Sequence, residues 1–181
     1  SRSEAWKGHA LLLEALAELR AVPGWVWWQV GGAQRPAEEA FLASLRATAA
    51  RLGIGDRVRW LGERTDVRHL LAAADVHCQA NLAPEPFGVT FVEALASGLP
   101  VVTSDLGGAR EIVDETCGLL VTPQDAAGLA AALGRLITDA ELRGRMSRQA
   151  PVRARRLCDP DTQLRRLLSV LTGMRPAGVE A

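Results

Sequence analysis

The chain has 181 residues, 48% of them hydrophobic and 23% charged, a balance typical of a globular protein with one buried core. Twenty-one basic side chains offset 21 acidic ones, so no overall charge favours nucleic acid or an acidic membrane as a partner. No apolar run approaches the roughly 20 residues of a membrane helix. Cys78, Cys117 and Cys158 are too widely spaced for a disulfide framework or a CxxC metal pair, which predicts a reduced, cytoplasmic protein.

Short apolar runs alternate with helical patterns along the chain. Strands are predicted at 25–30, 57–62, 75–80, 100–104 and 118–121. Helices are predicted at 8–21, 36–52, 66–74, 88–98, 109–114, 125–138, 139–150 and 161–172. Asp66 is the predicted N-cap of the helix at 66–74, and Pro151 and Pro160 are predicted to interrupt the C-terminal helices. The alternation indicates an α/β fold with a Rossmann-like, doubly wound parallel sheet in one domain.

Glycine turns and polar residues follow the predicted strands, where doubly wound sheets bind their ligands. They are Gly31-Gly32 after the first strand, Glu63-Arg64 after the second, the Glu85 loop after the third and Gly107-Gly108 after the fourth. Each glycine pair suits either close approach to a ligand or a plain tight turn. Because Gly31-Gly32-Ala33 is not G-x-G-x-x-G, the sequence argues against an NAD site.

The helix predicted at 88–98 carries one carboxylate, Glu93, among apolar neighbours. Its composition predicts that the helix is mostly buried, so Glu93 needs a ligand or a structural arginine as its partner. Val89 and Thr90 share the face of Glu93, and the helix start at Gly88 favours an anion. Together they suit a ligand with phosphate and sugar oxygens, since a carboxylate can accept a hydrogen bond from each hydroxyl of a diol.

Three other charged residues are candidates for the same site. Glu85 lies between two prolines that stiffen its loop, although lone loop glutamates are usually solvated. Arg2 and Lys7, the sole lysine beside 20 arginines, can hold a diphosphate or be ordinary surface cations.

Other chemistries find little support in the sequence. His9, His69 and His77 are scattered, with no metal-ligand spacing. No serine lies in a G-x-S-x-G context. A C-terminal basic stretch is interpreted as a solvated helix face, with a membrane-surface contact as the alternative; it comprises Arg153, Arg155, Arg156, Arg165 and Arg166.

The run E-P-F-G-V-T-F-V-E at 85–93 resembles the E-x7-E motif of retaining glycosyltransferases with the GT-B fold, family 4 type. Further segments similar to this family are 51–62, 94–104, 107–113 and 118–125, and R-x4-K-G from Arg2 to Gly8 resembles its diphosphate-binding pair. The resemblance implies that residues 1–181 form the C-terminal, donor-binding half of a GT-B enzyme, with a helical tail from about 151. It further implies that the N-terminal acceptor domain and the strand before Arg2 are absent from this chain.

By this resemblance, Arg2 and Lys7 hold the diphosphate of a nucleoside-diphosphate sugar, with no metal and no cofactor. Glu93 binds the ribose hydroxyls and Glu85 the transferred sugar. The remaining donor-binding residues are Phe87, Gly88 and Val89, whose amides face the sugar, Thr90 at the phosphates, Gly32 in the first glycine turn, and Arg64 in the segment that borders the base.

The resemblance predicts sugar transfer to an acceptor, and the isolated chain is expected to be inactive. Two alternatives are a sugar-nucleotide epimerase of related fold and a non-catalytic nucleotide-sugar binding module. No nucleic acid is expected as a partner. A cytoplasmic location is expected, and a peripheral contact of the full-length enzyme with the inner membrane face stays open.

Overall fold

The computed structural model describes residues 1–173, so the end of the predicted tail, 174–181, lies outside the described residues. Its strands are β1 (Trp27–Val30), β2 (Val58–Gly62), β3 (His77–Gln79), β4 (Val101–Ser104) and β5 (Gly118–Val121). Its helices are α1 (His9–Glu18), α2 (Pro36–Arg51), α3 (Val67–Ala72), α4 (Val89–Ala96), α5 (Ala109–Ile112), α6 (Ala126–Thr138), α7 (Ala140–Cys158) and α8 (Pro160–Thr172). The predicted alternation of strands and helices is confirmed, with every strand within two residues of its predicted ends.

All strand pairs are parallel, as predicted, but they form two ladders instead of one sheet. β1 pairs with β2, and β4 lies between β3 and β5. The N-terminal segment separates the ladders at their carboxyl ends. The Ser1 ammonium donates to the Val30 carbonyl (2.6 Å), and the Leu82 amide donates to the Trp6 carbonyl (2.8 Å). A cleft of about 700 Å³ lies between β1 and β3, and we call it the central cleft.

One apolar cluster, which contains Val58 of β2 and Val102 of β4, holds the two ladders together. Leu13 of α1 and Leu129 of α6 are fully buried in this cluster. A second cluster joins α4, β4 and α7 around Phe91, Leu95 and Val101, which are also fully buried. These helices therefore fix the carboxyl ends of the strands, where the candidate site lies.

The C-terminal helices begin at aspartate caps, whose carboxylates accept otherwise unpaired first-turn amides. Asp125, Asp139 and Asp159 each accept a backbone N–H three residues later at 2.8 Å. Asp66 is the N-cap residue of α3, as predicted, but its side chain makes no capping hydrogen bond in the structure. Its carboxylate instead accepts two hydrogen bonds from the Arg64 guanidinium, at 2.8 and 2.7 Å.

Pro151 is predicted to interrupt the C-terminal helices, but it lies inside the continuous helix α7. Proline lacks the N–H of the helical ladder and disfavours a helix interior by about 3 kcal/mol. Ala150 and Ala154, on either side of it, are buried in the second apolar cluster, so packing outweighs local propensity. The predicted tail boundary at 151 thus falls within a helix.

The basic stretch on α7 and α8 is only partly a solvated face. Arg155, Arg156, Arg165 and Arg166 are exposed. Arg153 instead donates to the carbonyls of Ile112 (2.9 Å) and Glu111 (2.5 Å), so its assignment to the solvated face is wrong. It anchors the end of α5 to α7.

His9 forms a buried polar contact at the start of α1. The ring is 4% exposed, and its Nε2 lies 3.1 Å from the amide nitrogen of Gln29. That amide also donates to the Ser1 carbonyl, which fixes it as a donor, so His9 Nε2 is the acceptor and the ring is neutral. Burial lowers the pKa of His9 to about 4.

Acid should therefore destabilise the fold through His9. An unfolded histidine has a pKa near 6.5, so the unfolded state takes up a proton first as the pH falls. The contribution of His9 to stability is complete above pH 6.5 and decreases toward pH 4, with a loss of about 2.5 kcal/mol by pH 4.5. Urea unfolding at pH 7 and pH 4.5 measures this loss, and His9→Gln should show a smaller one. Equal losses in both proteins would contradict the prediction; His77, whose pKa burial also lowers to about 4, contributes to both.

Candidate functional site

The central cleft gathers residues that follow several strands. Six predicted site residues line it: Arg2, Lys7, Gly32, Arg64, Thr90 and Glu93. They come from the N-terminal segment, the turns after β1 and β2, and α4. Glu85 joins this group through a direct contact with Lys7. The structure thus brings cations, carboxylates and the start of a helix together at the carboxyl ends of parallel strands.

Lys7 and Glu85 form an ion pair that is largely shielded from solvent. Lys7 Nζ lies 2.7 Å from Glu85 Oε2, and the two side chains are 14% and 15% exposed. The ammonium also lies 3.9 Å from the centroid of the Trp6 ring. Lys7 is therefore not an ordinary surface cation, and Glu85 is not a solvated loop glutamate.

Gly8 sets the position of Lys7 beside the end of β3. It has a φ of 73°, and a Cβ there would collide with the carbonyl oxygen of Ala80. Only glycine accepts both the backbone conformation and this close approach. The chain can therefore turn from Lys7 directly into α1.

The sequence left open whether Gly107 and Gly108 allow close approach to a ligand or form a plain tight turn. In the structure the pair packs against the Glu85 loop. The Gly108 amide donates to the Glu85 carbonyl at 2.9 Å. A Cβ on Gly107 would lie 2.6 Å from that carbonyl oxygen, and one on Gly108 would lie 2.7 Å from the Phe87 carbonyl oxygen. The pair holds the Glu85 loop in place by letting two backbones meet.

Helix α4 turns one face inward and the other toward the cleft. Phe91, Ala94 and Leu95 are buried. The expectation that Glu93 is buried is wrong, because its residue is exposed. Among residues 1–173 no cation pairs with Glu93, so the structural-arginine alternative has no support there. The predicted sharing of one face is confirmed for Thr90 and Glu93, which both line the cleft.

The segment that precedes α4 supplies the remaining predicted contacts. Phe87 and Val89 are 53% and 59% exposed, so both side chains are open to solvent beside the start of α4. Gly88, with a φ of 93°, is the residue before the helix. The Phe91 ring occupies the space that a Cβ on Gly88 would need. Within the described residues, the first amides of α4 have no side-chain cap and remain available to an anion.

Arg2 and Arg64 lie at the solvent side of the cleft, each beside a carboxylate. Arg2 is 3.2 Å from Glu4, and Arg64 is 2.7 Å from Asp66. Gly32 lies beside Glu63, and a Cβ on it would meet the Glu63 amide nitrogen at an ordinary 3.5 Å. Gly32 therefore lines the cleft without being sterically required there.

Two buried amide side chains near Glu85 were not predicted as site residues from the sequence. Gln79 and Asn81 are 5% and 2% exposed, and Gln79 Nε2 donates to Asn81 Oδ1 at 3.0 Å. The alternation of polar and small residues in this segment resembles an ordinary strand end. The signal that was present is the spacing of the two amides, two residues apart in a segment predicted to be strand and then loop.

Residues 1–173 contain no group of three or more His, Cys, Asp or Glu side chains arranged to hold a metal ion. Nor does any helix in that range have the length and apolar character needed to span a bilayer.

A family model described as "Glycosyl transferases group 1" matches residues 1–153. The chain belongs to the glycosyl transferases group 1. The predicted resemblance is confirmed at this level. The family model covers the strands, α1 to α6, most of α7 and every predicted site residue.

Curated relatives of this group 1 chain include two bacterial transferases. The chain is 36% identical over 143 residues to the lipopolysaccharide core biosynthesis glycosyltransferase LpsE of Rhizobium meliloti, covering 78% of this chain and 39% of LpsE. It is 38% identical over 145 residues to the phosphatidyl-myo-inositol mannosyltransferase of Mycobacterium leprae, covering 78% and 37%. The chain thus spans less than half the length of these relatives.

Solved structures of similar fold confirm the α/β architecture. HepE of Anabaena in complex with UDP superimposes with a TM-score of 0.85 at 34% identity, over 94% of this chain and 47% of HepE. HepE in complex with UDP-glucose gives 0.84 at the same identity.

Proposed function

We propose that this chain is the donor-binding domain of a retaining, family 4 type glycosyltransferase that uses a nucleoside-diphosphate sugar. The observation that carries the proposal is the shielded Lys7–Glu85 pair, which lies beside the exposed Glu93 face of α4 at the end of a parallel sheet. This arrangement offers a cation to a diphosphate and two carboxylates to separate sets of hydroxyls. The UDP and UDP-glucose complexes of HepE support the donor class.

The proposed roles follow the positions of the side chains. Lys7 and Arg2 bind the diphosphate, and Thr90 and the amides that begin α4 add donors to its oxygens. Glu93, exposed one turn along α4, accepts hydrogen bonds from the ribose hydroxyls. Glu85 accepts hydrogen bonds from the transferred sugar.

The rest of the donor lies along the rim of the cleft. The amides of Phe87, Gly88 and Val89 border the transferred sugar. Gly32 and Arg64 border the base at the other end of the donor.

The chemistry suited to this site is substitution at the anomeric carbon with retained configuration. The bond from that carbon to the β-phosphate oxygen breaks, and the acceptor hydroxyl oxygen bonds to the same face. The hydroxyl proton passes to the departing phosphate. Lys7 stabilises the negative charge that develops on this phosphate, where fixed electrostatic groups are most effective.

A binding screen tests the proposal and identifies the donor. Calorimetry of this chain with UDP-, GDP- and ADP-sugars should show binding of one nucleotide class, and the free diphosphate of that class should bind too. Absence of binding to all three classes would contradict the proposed function. UDP-glucose and GDP-mannose are the first choices, because HepE holds the former and several relatives are mannosyltransferases.

The proposal includes an acceptor-binding domain elsewhere in a longer polypeptide, so transfer is assayed on that polypeptide. Product analysis separates transfer from epimerisation of the donor and from binding without reaction. The transferase names of the relatives favour transfer.

A cytoplasmic location is part of the same proposal and agrees with Cys78, Cys117 and Cys158 being free thiols. The proposal also allows a peripheral contact with the inner membrane face. The exposed arginines of α7 and α8 would supply its basic surface.

Transfer should not depend on a divalent metal. Lys7 and Arg2 supply the positive charge that a metal would bring to the diphosphate. Activity of the longer polypeptide should therefore persist in EDTA at the level measured without it. A loss that Mg²⁺ or Mn²⁺ specifically restores would show that the two side chains do not suffice.

A further inference from the structure

The end of β3 carries two amide side chains that ordinary strand packing does not require. Gln79 and Asn81 are almost fully buried, and a buried amide is stable only when it is hydrogen-bonded. The backbone of Gln79 is fixed by the pairing of β3 with β4, where Gln79 lies opposite Thr103, and the Thr103 hydroxyl adds one bond to the Gln79 carbonyl at 2.8 Å. The Gln79 side chain thus extends from a rigid point on the sheet.

Gln79 contacts the proposed sugar-binding carboxylate. Its Nε2 lies 3.0 Å from Asn81 Oδ1 and 3.4 Å from Glu85 Oε2. Lys7 Nζ donates to that same Oε2 at 2.7 Å. Asn81, Gln79, Glu85 and Lys7 therefore form one chain of polar contacts that links the sheet to the mouth of the cleft.

We propose that Gln79 is a positioning residue for Glu85, an inference that rests on the proposed function. Both protein donors contact Oε2, so the other carboxylate oxygen, Oε1, is left to accept a hydroxyl of the transferred sugar. When the diphosphate binds, Lys7 shares its ammonium between two anions. Gln79 then keeps Oε2 in place, and its long contact shortens, as contacts of unliganded sites commonly do.

An amide fits this position better than other side chains of similar size. Its two N–H groups reach Asn81 and Glu85 at the same time, which a leucine or a carboxylate cannot do. A carboxylate at this position would also repel Glu85. Lys7 is the cation that contacts Glu85 in the described residues, so it would have to compensate both carboxylates.

Two substitutions and a matched control test this role. Gln79→Leu removes the donor, and Gln79→Glu keeps the shape but adds a charge. Thr103→Val removes the bond to the Gln79 backbone and leaves the amide in place. The probes are UDP, UDP-glucose, GDP and GDP-mannose in calorimetry, with transfer assayed on the longer polypeptide.

Gln79→Leu should bind the free diphosphate like the parent but should lower kcat about ten-fold, the effect expected from losing one hydrogen bond to a charged group. Gln79→Glu should lose more activity at pH 8 and regain part of it at pH 6, where the new carboxylic acid can donate to Glu85. Thr103→Val should lower the melting temperature without the loss of kcat and without the recovery of activity at pH 6. If Gln79→Leu does not fold, the recovery of transfer by Gln79→Glu is decisive when its melting temperature is the same at pH 8 and pH 6, because a purely structural role would change both together.

The possible failures are distinguishable. If the parent binds none of the UDP-, GDP- and ADP-sugars of the binding screen, the proposed function is wrong and the inference falls with it. If the parent binds a nucleotide sugar, but both Gln79 variants bind and transfer like the parent at every pH, the positioning role alone is wrong.

Discussion

Replacing Lys7 with methionine should lower the rate of sugar transfer by about a hundred- to a thousand-fold, the usual effect of removing one group that stabilises developing charge in a shielded site. The Lys7 side chain is 14% exposed, so little water is present to replace its charge. The substitution also leaves Glu85 without its cation, which adds repulsion toward the diphosphate. Transfer rates of the longer polypeptide at saturating donor measure the loss.

Two controls show whether this effect belongs to the site. Arg148→Met removes an exposed cation from α7 and should leave transfer unchanged. Lys7→Arg keeps the charge but should recover only part of the rate, because a planar guanidinium cannot reproduce a compact ammonium between Glu85 and a phosphate. A Lys7→Met protein that melts like the parent and transfers within three-fold of its rate would show that Lys7 is not needed for transfer.

Lys7 is the only lysine in the sequence, so its chemical modification reports directly on ligand binding at this side chain. An amine-selective reagent can modify only Lys7 and the chain terminus in this sequence. A bound nucleotide sugar should protect Lys7 from modification, as measured by peptide mass spectrometry. Protection by the free diphosphate as well would locate the contact at the phosphates.

Glu93→Gln and Glu85→Gln should have different effects on donor binding. Every nucleoside-diphosphate donor contains the ribose, so Glu93→Gln should weaken the free diphosphate and the nucleotide sugar alike, by about ten-fold or more. Glu85→Gln should leave the free diphosphate nearly unchanged and reduce sugar binding or transfer by a similar factor. Calorimetry with each ligand pair measures both effects.

Because Glu93 is exposed, the effect of Glu93→Gln on ligand binding can be separated from an effect on folding. An exposed carboxylate with no described cation partner contributes little to folding, so Glu93→Gln should melt like the parent. Glu85→Gln removes a shielded ion pair and should lower the melting temperature modestly. If both variants are folded and bind the free diphosphate like the parent, Glu93 does not contact the ribose.

The sequence predicted the strands and the site region well, because both depend on local patterns. β-strands were indicated by short apolar runs between glycine and proline turns, and E-P-F-G-V-T-F-V-E marks one loop and one helix. The burial of Glu93 could not be judged in this way. Val89 and Val92 make α4 look apolar all round, but the central cleft leaves the Glu93 face open.

The other differences arise from contacts that are distant in sequence or compete locally. Pro151 stays helical because Ala150 and Ala154 pack against other elements. Asp66 occupies the N-cap position of α3, but its carboxylate accepts from Arg64, two residues earlier, instead of from a first-turn amide. Gln79 approaches Glu85 only after the loop between them folds back, so no spacing rule could have identified it.

The division of the strands into two ladders affects how the fold opens locally. β4 is hydrogen-bonded on both sides and fully buried, so its amides should exchange with solvent only when the domain unfolds as a whole. β1 and β2 are connected to the other ladder through the side chains of α1 and α6 and not through strand hydrogen bonds. In residues 1–173 β1 and β2 are each hydrogen-bonded to only one strand, so their amides should exchange faster than those of β4.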